Sequence, residues 1–526
     1  MVKVLKLNDF VPRIESKKMA QTDNYGQEIF LEVEEHPTAV SADIHGTVPE
    51  WISGDFFRAG PGKYKWGSSS YNHWFEGDAI LNRFHISNGG VEFSSKFLRS
   101  ASYVESQKKN AITISDFATN APPDPCQNIF QRFMSYFFSP IESRDNCNVN
   151  VVKAKERFYA TGDITTLWEI DANTLDCRAS VDISRRLPGV RSWTSHPHFA
   201  QNGDYYNCSA SYDNNVYEFV RIPAAGNFNG DALDGIEVVA SLPFSHRPSY
   251  FHCFGMSERH FLFIEGSLFV TNYFNSERLN KIATHLLNKT HRDLLKFDPR
   301  VNSRLHLIER KSGKVIASYE VDPFFSFHQV NFYETEDEVV FDITVYPDDS
   351  VIDNLYLSNI KSGKTKDAFP GQLRRYRLPL KGVSVENPLR MHLPRDSMGL
   401  DYELIHPNYE MPKINYEHYN GKKYRYTYGV GNSSIRKGLT TLLKIDVDTK
   451  QAYEWQEDNC YPSEPVFIPS PDSKGEDDGV VISAVLGLFH KSSFLLILDG
   501  ETMNEIARAY VPAKLIPLFH TDFFHS

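Results

Sequence analysis

RFHISNGGVEFSSKF, residues 83–97, reads as two β-strands turned around Asn88-Gly89-Gly90. Aromatic and β-branched residues flank the turn, and Asn-Gly accepts the left-handed backbone that a tight hairpin requires. The pattern returns at LHLIERKSGKVIASYEV (305–321), around Ser312-Gly313, and at LLKIDVDTKQAYEW (442–455), between Asp446 and Lys450. Helical spacing is clear only in NSERLNKIATHLLNKTHRDLLKF (275–297), where Leu279, Ile282 and Leu286 recur before Leu294, as an insertion on a β scaffold. Hairpins that continue without a Pro/Ser-rich linker favour one β-propeller over several sandwiches, and thus an all-β fold with a single domain over 1–526. No Trp-Asp dipeptide and no repeat of fixed period is visible, so the familiar repeat propellers do not fit. Residues 222–235 and 348–371, rich in turn formers, read as long surface excursions of the kind that cover active sites.

Composition narrows the function. Lys and Arg number 56 against 67 acidic residues, a net charge of −11 with no basic block, which excludes a nucleic-acid partner. The first residues lack the apolar core of a signal peptide, and no later run suits a bilayer span, so a cytoplasmic chain is expected. Six cysteines are scattered without a CxxC pair, which suits neither a disulfide framework nor a structural zinc site. Apart from Cys126 they read as isolated thiols in or near a core.

Of nineteen histidines, four sit in matching settings: His196 in TSHPHF, His252 in YFHCFG, His328 in FSFHQVNFYE and His520 in the tail PLFHTDFF. Each stands among aromatic or apolar residues beside a strand-like run. A lone histidine in that setting is more often a satisfied core residue than a ligand; four together weaken that reading without removing it.

Eight stretches, WFEGDAILNRF (74–84), PDPCQNIFQRF (123–133), TSHPH (194–198), FHCFGM (251–256), FHQVNFYE (327–334), MPKINY (411–416), YPSEPVF (461–467) and EDDGVVISAV (476–485), span nearly the whole chain. In kind and order they resemble the landmarks of the carotenoid cleavage oxygenases, in the animal branch that holds carotene dioxygenases and the retinoid isomerohydrolase. The resemblance implies a seven-bladed β-propeller under a cap of long loops and short helices. It also implies one non-haem Fe(II) per subunit on the axis, held by His196, His252, His328 and His520. His520 then explains an apolar C-terminus: the last strand closes the propeller and carries the last ligand, held by Phe519, Phe523 and Phe524. His198 and His525 are read as non-ligands.

Four neutral imidazoles suit Fe(II), leave open positions on the ion and leave its charge uncompensated, so carboxylates should accept their outer N–H groups. The resemblance assigns Glu410 to His328 and Glu464 to His520, and the partner of His252 should fall in ATGDITTLWEI (160–170). Here the sequence departs from the family's Thr-Glu-Thr-Asn-like run. Asp163 is the carboxylate in register, one methylene shorter, reaching the imidazole directly or through a water. Thr521 replaces the usual glycine after the last histidine.

Aromatic residues make up 13% of the chain, as an apolar tunnel or a large β core would need. Residues 126–138, if helical, align Ile129, Phe133 and Phe137 beside Cys126, and fit either a buried helix or one that dips into a membrane. In the resembling family this segment and one like 266–274 border the tunnel mouth, which favours peripheral membrane association; Cys126 matches a cysteine that carries a lipid in one member. The implied activity is Fe(II)-dependent cleavage of one carotenoid or apocarotenoid double bond by O₂ to give two aldehydes, first of all central cleavage of β-carotene to retinal. Eccentric cleavage, retinyl ester isomerohydrolysis and a non-catalytic carotenoid- or lipid-binding propeller are the alternatives.

Overall fold

The computed structural model describes residues 3–5, 29–30, 33–122, 144–225, 232–271, 289–362, 371–380, 402–432, 440–489 and 491–526. Seven antiparallel sheets follow one another along the chain as the blades of a propeller. The first blade is ordered His36–Ser41, Gly90–Phe97, Asp78–Ser87, Gly54–Lys63 and, innermost, His520–His525. The second runs inward from Cys177–Asp182 to Asn150–Ala154. The third begins on the axis with Val190–Trp193 and His198–Phe199, the fourth with Gly255–Met256 and the fifth with Gln329–Glu334. The sixth begins with Glu410–Lys413, and the seventh with Cys460–Pro462 and Val466–Pro469.

Closure uses both ends of the chain. Strand His520–His525 pairs antiparallel with Gly54–Lys63, setting His520 opposite Ala59 and Phe524 opposite Asp55. Asp43–Gly46 adds an outer strand to the seventh blade, while Lys3–Leu5 adds one to the sixth. A barrier to opening the ring is thus built from ladders that join residues hundreds of positions apart.

The turns follow the sequence logic. Asn88 and Gly89 both have positive φ, 50° and 74°, between strands paired Ser87 to Gly90. Gly313 (φ 67°) turns the hairpin of the fourth blade. In the sixth, Asp446 Oδ1 accepts the N–H groups of Asp448 and Thr449, a side-chain-stabilised turn completed by Lys450 at φ 61°.

Seven apolar clusters fill the gaps between neighbouring blades. Phe56 packs toward the seventh blade with Ile482 and Ile497, whereas Phe57, the next residue, packs toward the second with Val151 and Ala160. Phe523 and Phe524 of the closing strand divide the same way. Each blade is buried on both faces, and a fully buried Phe contributes about 1.5–3 kcal/mol, so the gaps hold the ring together.

Three sequence expectations are corrected. Of the helical stretch 275–297, residues up to 288, with Leu279, Ile282 and Leu286, lie outside the described region; within it His291–Leu294 is a single helical turn and Leu295–Phe297 is a strand paired with Leu268–Val270. The far end of the 222–235 excursion is not surface, since Ala232 and Leu233 are buried between the second and third blades. Within 348–371, Ser350–Asn354 and Leu357–Lys361 are short helices that bury Val351, Ile352, Leu357 and Ile360. Arg292 pins the first of these through Asp349 (2.9 Å) and Asp353 (2.8 Å). These helices cover the turn Trp74–Glu76: Trp74 N–H donates to the Leu355 carbonyl and Leu357 N–H to the Asn72 carbonyl.

Residues 126–138, including Cys126, and 272–274 lie outside the described region. The described part of 266–274 is buried at Leu268 and Phe269. Among the described residues no helix is long and apolar enough to cross a membrane.

Candidate metal centre

The innermost strands all start at one end of the axis, and the candidate residues gather there. His520 opens its strand; His328 immediately precedes Gln329–Glu334; His252 lies three residues before Gly255–Met256; His196 sits between the two inner segments of the third blade. Their ligand-capable atoms lie within 4.8 Å of one another. Nε2 of His196 is 2.8 Å from that of His252, and Nε2 of His328 is 3.4 Å from that of His520.

The three blades without such a histidine each bring a carboxylate to the same place. Asp163, in the turn after Arg157–Thr161 of the second blade, accepts from His252 Nδ1 at 2.7 Å, with no intervening water. Glu410, first residue of the sixth blade, accepts from His328 Nδ1 at 2.7 Å. Glu464 of the seventh accepts from His520 Nδ1 at 3.0 Å. With Nδ1 of His252, His328 and His520 carrying the proton, their Nε2 lone pairs face a common point. Lone pairs so close repel unless a cation lies among them, so the donor set fits a metal ion.

Each carboxylate is held again from behind by a hydroxyl. Tyr250 O–H donates to Asp163 (3.3 Å), Tyr346 O–H to Glu410 (2.8 Å), and Thr521 both N–H (2.6 Å) and O–H (3.1 Å) to Glu464. The departure at Thr521 therefore adds a hydrogen bond that glycine could not make. Lys413 Nζ lies 3.5 Å from Glu464 and donates to the Thr521 carbonyl at 2.9 Å.

Burial dominates the electrostatics. It pushes the His520 imidazole down to about 4 and, with the neighbouring imidazoles, holds His196 well below the usual histidine range, so both stay neutral as metal donation requires. Burial alone would raise the Glu464 carboxyl, but Lys413 and His520 outweigh it and hold it at about 2. Glu410 is likewise lowered, by His328 against burial.

His198 lies outside the cluster: its Nδ1 pairs with the Tyr416 hydroxyl and its Nε2 with the Phe254 carbonyl, both at 2.7 Å. His525 is exposed at the far end of its strand. Sequence reading missed the aromatic roof. Phe75, in the turn Trp74–Glu76, packs on Phe519 (5.6 Å) and Phe327 (6.1 Å), the residues just before His520 and His328. His73, fully buried, holds that turn by donating from Nε2 to the Ile352 carbonyl at 2.8 Å and accepting the Phe75 N–H at Nδ1. A small cleft lined by Tyr250, Phe251, Cys253, Leu268, Phe325 and Phe327 borders His252.

Residues 30–525 match the retinal pigment epithelial membrane protein family. The chain belongs to this carotenoid oxygenase family. A ferret (Mustela putorius furo) protein named carotenoid-cleaving dioxygenase, mitochondrial, is 35% identical over 93% of this chain and 95% of its own length. A human protein named beta,beta-carotene 15,15'-dioxygenase is also 35% identical, over 92% of each chain. Among solved structures, a variant of the Synechocystis apocarotenoid oxygenase superposes with a TM-score of 0.77 over 96% of this chain and 100% of that one, at 19% identity. That likeness concerns the fold. The roof packing and the second hydrogen bonds to the three carboxylates are features of this chain's own structure.

Proposed function

We propose that His196, His252, His328 and His520 hold one Fe(II), with Asp163, Glu410 and Glu464 as the outer carboxylates, and that this carotenoid oxygenase cleaves a carotenoid double bond with O₂ into two aldehydes. The observation that carries the reading is the convergence of four imidazoles within 4.8 Å, three of them backed by a carboxylate. Bound Fe(II) supplies the redox chemistry by which O₂ overcomes its spin barrier toward a singlet polyene.

The chain's own residues do the rest. The carboxylates fix the three imidazole tautomers and offset the charge of a divalent ion, and Lys413 tempers the resulting excess of negative charge beside Glu464. Phe75, Phe327 and Phe519 give a polyene an apolar, flat-sided surface next to the imidazoles and keep bulk water away. Such a surface orients a rigid substrate, so one double bond rests at the reactive position. Central cleavage of β-carotene to retinal is the preferred assignment, favoured by the relatives named for it; eccentric cleavage is the alternative. A substrate of this kind partitions into lipid, which supports peripheral membrane contact through residues 126–138.

The test is product analysis. Iron-loaded protein is given β-carotene or an apocarotenal in detergent, with and without O₂, and the products are identified by mass. Two aldehydes that form only with O₂ support the proposal. Retinol released from a retinyl ester added in parallel, with no aldehyde from any carotenoid, or no product at all, overturns it.

A further inference from the structure

The blades of a propeller are separate sheets: no backbone ladder crosses a gap, and the apolar packing between them tolerates small sliding of one sheet past its neighbour. Four metal donors on four blades need their relative positions fixed to within about 0.5 Å. Directional bonds at the level of the imidazoles would supply that fixity, and the structure contains them at consecutive gaps.

Between the third and fourth blades lies Thr194, 1% exposed. Its hydroxyl accepts the N–H of His196 at 3.1 Å and donates to the carbonyl of His252, so one oxygen ties the main chain of two candidate ligands. Between the fourth and fifth blades the same task falls to Cys253, next to His252. Its sulfur donates to the Phe327 carbonyl at 3.1 Å and accepts the Gln329 N–H at 3.1 Å, gripping the main chain on both sides of His328. One gap earlier, Asn150 Nδ2 donates to the Ser195 carbonyl at 3.0 Å, tying the second blade to the residue before His196.

We propose that Thr194 and Cys253 are positioning residues that set the spacing of His196, His252 and His328: Thr194 holds the His196 N–H within its own blade and the His252 carbonyl across the gap, and Cys253 holds the main chain of the residues on either side of His328 across the next. The inference rests on the reading of these histidines as metal ligands. It assigns Cys253 a role distinct from that of an isolated core thiol, and it locates the determinant of donor spacing in two side chains outside the imidazole set.

The test uses full-length iron-loaded protein and four variants: Thr194→Val, Thr194→Ser, Cys253→Ala and Cys253→Ser. Two quantities are read besides activity: the rate at which iron is lost to excess chelator, and the visible absorption of the cobalt-loaded forms, which reports ligand geometry. Thr194→Val and Cys253→Ala should lose iron about 10-fold faster and shift the cobalt bands, with the metal-free melting temperature close to that of the parent. Thr194→Ser and Cys253→Ser, which keep a hydrogen-bonding group, should recover most of the parent behaviour. Should Thr194→Val fail to fold, Cys253→Ala carries the test at the next gap on the same readouts. Parent-like iron loss and cobalt spectra in Thr194→Val and Cys253→Ala overturn the inference, as does equal loss in the Ser and the apolar variants. A parent that retains no iron overturns the metal reading itself, an outcome visible before any variant is compared.

Discussion

Asp163 Oδ2 stands 2.7 Å from Nδ1 of His252, joining the second blade to the fourth across the end of the third. The other two carboxylates serve a histidine on an adjacent blade: Glu410 on the sixth holds His328 of the fifth, and Glu464 on the seventh holds His520 of the first. Asp163 makes the longer reach from a turn, with the shorter side chain, while also accepting from the Ser195 N–H at 3.4 Å and the Tyr250 hydroxyl at 3.3 Å.

Two roles for Asp163 predict opposite outcomes. As the carboxylate that fixes the His252 tautomer, it cannot be replaced by Asn, whose amide carries no charge; iron affinity or turnover in Asp163→Asn should fall about 10- to 100-fold. Asp163→Glu should be tolerated better. Iron content and product formation are measured side by side, and an Asn variant as active as the parent, with Glu impaired, would mean that Asp163 only shapes its turn.

The four histidines should behave alike, and His198 should not. Ala at His196, His252, His328 or His520 is expected to abolish activity and release iron, whereas His198→Ala, which loses contacts to Tyr416 and Phe254, should keep a stoichiometric metal. Metal analysis of the purified variants checks this. Full iron in two of the four would remove the assignment.

Phe75 should separate substrate handling from metal binding. Phe75→Leu removes the ring that meets Phe327 and Phe519, and at about 0.5–1.5 kcal/mol per aromatic pair kcat/KM for a carotenoid should drop several-fold, chiefly through KM. Iron content should stay at the parent level. Loss of iron together with activity would show the roof to be part of the metal site instead.

Acid should loosen the ring at a place far from the imidazoles. Glu334, at the end of the fifth blade's inner strand, accepts from His260 Nδ1 (2.6 Å), Arg259 Nε (2.9 Å) and the Ser257 hydroxyl, all on the fourth. Burial alone would raise its carboxyl, but these partners hold it at about 2 against an ordinary 4.5. A carboxylate depressed on folding stabilises fully above its unfolded value and loses that contribution as pH falls through its folded one. In urea unfolding of the metal-free protein, the gap between parent and Glu334→Gln should be about 3 kcal/mol at most near neutrality and close between about pH 4.5 and 2. A gap independent of pH over that window would remove Glu334 from the interblade ties.

How far the sequence carried the structure depends on which physics was local. Turns at Asn88-Gly89, Gly313 and Asp446 are legible because backbone conformation and side-chain capping are decided within a few residues. The sevenfold arrangement is not legible from the residues alone: Phe56 and Phe57 are both buried, on opposite faces of one strand, so the alternation that marks a half-buried strand is erased. It entered the sequence reading through the family landmarks. Leu295 to Phe297 followed a helical pattern yet pair as a strand, because the partner Leu268–Val270 lies outside any local window. Cys253 passed for an isolated thiol although it stands beside His252, since its two partners belong to another blade. Spacing alone could have flagged it: a polar atom one residue past a candidate ligand has few ways to be idle.

The central claim is that one Fe(II), held by imidazoles from four blades, is what this chain needs to cleave a carotenoid. Its most direct test is a titration: metal-free protein is loaded with increasing Fe(II) under anaerobic conditions, and each sample is then given carotenoid and O₂. Aldehyde formation should rise linearly and stop at one iron per chain in the parent, and stay at background at every iron level in His328→Ala. Activity in iron-free parent, or the same titration curve in His328→Ala, would contradict the account.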